Sequence, residues 1–151
     1  MRDIRAVLQR WGEWAAHEED RSAWPAVCAT FRGALVGKSS LRPSCTDEDG
    51  LIIDASVSRL RIAGRDTERE VLFAYYVLRL SLRDVADLFE TNRMQVRNLL
   101  SGAENFVNGC MVALGVRLDM DLILKATGQM EAPAFLLCGF EDVSGRALVA
   151  G

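Results

Sequence analysis

Apolar positions recur at helical spacing through most of the first 124 residues. In "RDIRAVLQRWGEWAAH", Ile4, Val7, Leu8, Trp11, Trp14 and Ala15 follow i, i+3, i+4 steps and give one helix an apolar face. Asp3 stands where it can cap that helix. Trp11 and Trp14 fall on the face and are expected in the core, although exposed tryptophans also serve as partner anchors. A second helix is expected after Ser22, since Pro25 suits a first turn; Val27, Phe31 and Leu35 form its stripe and Gly37 its end. "KSSLRPSCTDEDG" reads as a polar connector. Its acids Asp47, Glu48 and Asp49 favour the start of a third helix, which carries Leu51, Ile52, Ala55 and Leu60 and stops near Gly64. "DTEREVLFAYYVLRL" opens with Thr67-x-x-Glu70, the pattern of a capping box. Val71, Leu72, Tyr75, Tyr76 and Leu78 then continue as a core helix.

The stretch "LRDVADLFETNRMQVRNLL" is a short helical pattern, a corner and a second helical pattern. Ser81 is placed to cap the first, with Val85 and Leu88 facing inward and Ala86 beside them as the small side chain that a close helix crossing needs. Glu90, Thr91 and Asn92 make the corner, and Thr91 or Asn92 can cap a helix from Arg93 to about Leu114. On that helix Val96, Leu99, Ala103, Val107, Cys110 and Leu114 fall on one side; Met94, Arg97, Asn98 and Ser101 fall opposite, flanked by Arg93 and Gln95. A DNA-reading helix needs this division, with an inner face locked to its partner and an outer N-terminal face that reaches base edges. Arginine can read guanine bidentately, and asparagine or glutamine can read adenine. Two core helices joined by a tight turn would show the same apolar periodicity, with the arginines as a solvated face. Glu90 departs from the motif, because glycine commonly holds this corner and takes positive φ at little cost.

The totals narrow the choice. The 151 residues carry 50% hydrophobic and 26% charged positions, a globular composition in a length that fits one domain. A formal net charge of −3 argues against an indiscriminate nucleic-acid coat. It leaves room for a local basic face, because exposed charges act over only about 8 Å at physiological salt. "MRDIRAVLQRW" is charged where a signal peptide would be apolar, and "AFLLCGF" is far shorter than the ~20 residues of a membrane span, so a cytoplasmic, membrane-free protein is expected. The four cysteines, Cys28, Cys45, Cys110 and Cys138, form no CxxC pair and read as free thiols. With a single histidine, His17, in a "HEED" segment that reads as a solvated helix end, a zinc site is not expected even where Cys45 neighbours Asp47 and Asp49. Neither a P-loop, a dinucleotide fingerprint nor a nucleophile elbow occurs, so no catalysis and no cofactor are expected.

Tyr75 to Leu100 resembles the helix-turn-helix of sigma-factor region four. "MRDIRAVLQRWGEWAA", "RPSCTDEDGLII", "YYV" and "MVALGVRLDMDLI" together, in this order, resemble the phage late-gene antitermination protein Q family of the phage 21-like type. The likeness covers about Met1 to Leu124 and leaves Lys125 to Gly151 as a tail without assigned role. The resemblance implies an all-α domain over residues 1–124, with a helix-turn-helix at about 81–100 and an irregular tail over 125–151. It implies a factor, acting in a bacterial host, that binds a double-stranded DNA element at a late promoter. Such a factor engages paused RNA polymerase with its sigma factor attached. It then promotes read-through of pauses and terminators by narrowing the RNA exit channel. A second protomer on the DNA is compatible with that family. Carried over, Arg93, Met94, Gln95, Arg97 and Asn98 face bases, Arg79, Arg83 and Thr91 hold phosphate, and Asn92 at the corner belongs to the same DNA-binding set; the basic residues Arg59, Arg61 and Arg65, which the resemblance does not assign, offer a surface for RNA or polymerase. The alternative is a helix-turn-helix repressor or activator that never leaves its site.

Overall fold

The structure is a computed structural model and describes residues 2–17, 24–29 and 42–121. Among these residues it is all helical: α1 (Ile4–His17), α2 (Ala26–Ala29), α3 (Asp47–Ile62), α4 (Asp66–Tyr76), α5 (Leu82–Leu88) and α6 (Arg93–Ala113). The expected continuation of the second helix through Phe31 and Leu35, the segment from Leu122 onward and Cys138 lie outside the described residues.

Local side chains start most of these helices. The Asp3 carboxylate accepts from the N–H groups of Arg5 and Ala6, at 3.1 and 3.3 Å. Thr46 Oγ1 accepts from Asp49 N–H at the head of α3, whose first turn holds Asp47, Glu48 and Asp49. The expected capping box at Thr67 does not form. Helix α4 begins at Asp66 with Arg65 as its cap residue and no side-chain cap bond, which puts Thr67 inside the first turn. Asp66 and Glu68 favour that start through their charge instead.

The core lies where α1, α3, α4 and α6 meet. Trp11 is fully buried and meets Phe73 edge-on, with ring centroids 5.1 Å apart. Trp14 is buried as well, and its indole N–H donates to Asp47 at 3.1 Å. Gly12 lets α1 lie directly on the end of α4, since a Cβ there would overlap the Tyr76 carbonyl. On α3 the inward residues are Ile53, Ser56, Val57 and Leu60, while Leu51 and Ala55 are exposed. The face expected from Leu51 and Ala55 is thus rotated. Gly50 must lie under the Trp14 ring, which a Cβ would overlap, and this contact turns the following residues.

The two ends of the described chain are joined. Arg2 donates to both Asp121 carboxylate oxygens, at 3.1 and 2.8 Å, and to the Val116 carbonyl at 2.8 Å. The buried Asp49 accepts from the N–H groups of Asp119 and Met120, each at 2.9 Å. A buried carboxylate is tolerated there because both of its oxygens meet N–H donors.

Candidate nucleic-acid interface

Helices α5 and α6 form the helix-turn-helix. Ser81 Oγ accepts from Asp84 N–H at 3.1 Å and starts α5; Asn92 Oδ1 accepts from Gln95 N–H at 3.0 Å and starts α6. Between them the chain makes a Schellman turn: Glu90 N–H reaches the Asp87 carbonyl and Thr91 N–H the Ala86 carbonyl, at 3.3 and 2.9 Å. Glu90 sits at φ 54, the left-handed conformation for which glycine is the usual choice. The same turn ends α3 and α6, where Gly64 and Gly115 hold the left-handed position.

The pair is locked from inside. Val85 and Ala86 of α5 are buried, as are Val96, Leu100, Ala103, Val107 and Met111 of α6. The buried stripe on α6 runs through Leu100 and Met111 rather than through Leu99 and Cys110, which are half-buried. Leu114 is 59% exposed, contrary to the inward position expected for it, because it is the cap residue at which α6 ends. The opposite face presents Arg93, Met94, Gln95, Arg97, Asn98 and Ser101, all exposed, with the Met94 side chain 73% exposed.

The backbone-side residues divide. Arg83 is exposed in the first turn of α5, and Thr91 is half-buried at the corner. Asn92 is exposed, and its carbonyl oxygen is used by the cap. Arg79 is ion-paired with the buried Glu13 of α1 and takes a left-handed φ of 59. Arg59 and Arg61 are exposed at the end of α3. Arg65 holds Glu68 at 2.9 Å and lies 5.1 Å over the Phe106 ring. Besides Phe106, the Arg65 guanidinium meets α6 at Gly102, where a Cβ would come within 3.4 Å of it, one helical turn on from Asn98.

Two residues near this face carry no sequence signal of their own. Glu104 is buried on α6, where its carboxylate accepts from the Tyr76 hydroxyl at 2.7 Å and from Arg5 Nε at 3.2 Å. Burial, and then the bond to Glu104, push the Tyr76 phenol up; the bond to Glu104 also raises the Arg5 guanidinium. Arg5, Tyr75, Arg97, Asn98 and Ser101 border an open groove of about 500 Å³ with Glu104 at its base. Glu104 could be noticed only from its phase, four residues after the buried Leu100. Arg5 looks in sequence like any solvated arginine.

Among the described residues no group of three or more His, Cys, Asp or Glu side chains is placed to hold a metal. Burial pushes the Cys28 and Cys45 thiols up to about 12, where they are poor nucleophiles at neutral pH. Among the described residues no helix is long and apolar enough to cross a membrane.

Comparison with known proteins places this arrangement. Residues 1–119 match the family model for phage antitermination protein Q. A probable antitermination protein Q from Acyrthosiphon pisum secondary endosymbiont phage 1 is 43% identical over 124 residues, covering 82% of this chain and 84% of that protein. The prophage antitermination protein Q homolog QuuD of Escherichia coli K12 is 34% identical over 125 residues, covering 83% and 98%. Antitermination protein Q of Escherichia phage 933W is 38% identical over 121 residues, covering 80% and 83%. The fold is similar to that of the transcription antitermination factor Q21, solved in complex with Q21-binding-element DNA; the TM-score is 0.55 at 18% identity, covering 74% of this chain and 91% of that one. With a helix-turn-helix inside the matched region and relatives matched over most of their length, the chain belongs to the phage antitermination protein Q family.

Proposed function

We propose that the N-terminal face of α6 enters the major groove of a DNA element at a phage late promoter, and that the bound protein then acts on RNA polymerase. The observation that carries this reading is the exposed run Arg93, Met94, Gln95, Arg97 and Asn98 on a helix whose other side is fixed in the core. Arg93 and Arg97 are suited to guanine edges, and Gln95 and Asn98 to adenine. Arg83, Thr91 and the free amide of Asn92 lie at the phosphate side. Arg79 contributes from behind: its pairing with Glu13 fixes the entry to α5. The solved relative of the same fold binds its own DNA element, which supports the choice of double-stranded DNA as ligand.

The action on polymerase is the second half of the proposal, and the family's antitermination role supports it. The protein engages polymerase paused with its sigma factor attached, travels with it, and promotes read-through by narrowing the RNA exit channel. A second protomer shares the promoter DNA. Arg59, Arg61 and Arg65, at the end of α3 and the start of α4, are the surface for RNA or polymerase.

A gel shift on late-promoter DNA tests the DNA half. Arg93→Ala and Arg97→Ala are each expected to cost about 1–3 kcal/mol if bidentate to a base. Unchanged binding in both variants would remove α6 as the reading helix.

A further inference from the structure

We propose that Met94 is a thymine-reading residue, its thioether covering the 5-methyl group of a thymine in the major groove. The inference rests on α6 being the helix that enters that groove. Met94 is the second residue of α6, in the turn whose side chains reach base edges when a helix-turn-helix docks. It is 73% exposed among polar neighbours, Arg93, Gln95, Arg97 and Asn98, and other exposed large apolar side chains lie away from it: Leu51 and Ile62 on α3, Val112 and Leu114 at the far end of α6.

Among the described residues nothing covers this side chain. Asn92 makes the cap bond that starts the helix, and Val96 is the residue of the first turn that enters the core. The major-groove edges of the four bases carry donors and acceptors, with one apolar group, the thymine methyl. A thioether laid against any of the polar groups would strip water from it and return no strong hydrogen bond. Laid against the methyl, it buries apolar surface on both partners. Its three rotatable bonds let the sulfur and terminal methyl reach the groove floor while the backbone stays in register for Arg93 and Arg97.

The test starts from a pool of randomised duplex DNA, from which the full-length protein selects its own site. The selected duplex is then remade with deoxyuridine at one thymine at a time, which removes only the methyl group. At one position the wild-type protein is expected to lose about 4-fold in affinity, the factor that ~0.8 kcal/mol per buried carbon gives. Met94→Ala is expected to bind thymine and deoxyuridine duplexes equally at that position, and Met94→Leu to keep the discrimination. If a site is selected but no deoxyuridine effect depends on Met94, the thymine assignment is wrong while the recognition helix stands. If no sequence is selected, the recognition helix itself is wrong and the assignment falls with it.

Discussion

Glu13, in the middle of α1, is ion-paired with Arg79, the residue that turns the chain from α4 into the helix-turn-helix. Glu13 is 6% exposed at its side chain and Arg79 27%, so the carboxylate depends on this partner while the guanidinium keeps some solvent. His17 Nδ1 stands farther off, 3.8 Å from the same carboxylate. Arg79→Met leaves a buried carboxylate without its main partner. It is expected to destabilise the fold by about 2–3 kcal/mol, below the full loss for a completely dry pair. Adding Glu13→Gln to that variant should restore most of the loss in urea unfolding. If the double variant is no more stable than the single, the pair is not what holds the two elements together.

Glu90 occupies a left-handed position that glycine fills at the ends of α3 and α6. The turn's two backbone hydrogen bonds, from Glu90 N–H and Thr91 N–H, keep it in place despite that conformation. Glu90→Gly relieves the conformation but frees the unfolded chain, and the net gain is expected to be about 0.5–1 kcal/mol. In the proposed docking it also removes an anion from the phosphate side, so DNA affinity is expected to rise, most clearly at low salt. A thermal melt and a salt titration of binding check the two effects separately.

Gly12 has no room for a side chain. Gly12→Ala forces α1 away from the Tyr76 carbonyl and is expected to cost about 1–3 kcal/mol. Gly109 on α6 has nothing within 4 Å of a Cβ and lies in a helix interior, so Gly109→Ala is expected to stabilise by about 0.5–1 kcal/mol. Opposite signs for the two substitutions in chemical unfolding are the expected outcome.

Alkaline pH should weaken the fold through its thiols. Cys28 and Cys45 are raised from 9.0 to about 12 in the folded protein, chiefly by burial. Between those values the unfolded chain has released protons that the folded chain still holds, so stability falls as pH rises. The contribution is fully present below pH 9 and is lost from there toward about 12; the raised Tyr76 phenol acts in the same direction. Urea midpoints at pH 8, 9, 10 and 11 are expected to decline over the last two steps. The Cys28→Ala, Cys45→Ala double variant should flatten the decline.

What could be read in the sequence is what depends on near neighbours. The caps at Asp3, Ser81 and Asn92 are bonds across two or three residues, and each stands at a switch from polar to periodic sequence. The outer face of α6 follows from phase alone. Glu90 shows in sequence as a departure from the usual corner residue, while the backbone keeps the left-handed corner all the same. The buried acids could not be read, because their partners are remote: Glu13 with Arg79, Asp49 with the N–H groups of Asp119 and Met120, Glu104 with Arg5 and Tyr76. The rotated face of α3 has the same origin, since it is set by Trp14 lying over Gly50. Thr67 has the local pattern of a cap, but α4 begins one residue before it.

The measurement that bears most directly on the whole account is single-round transcription past a terminator placed well downstream of the phage's own late promoter. Added protein is expected to raise read-through there and not from a promoter lacking the element, and Arg97→Ala is expected to lose the effect while remaining folded. Read-through that stays at the level without protein, on the template with its own promoter, would contradict the account.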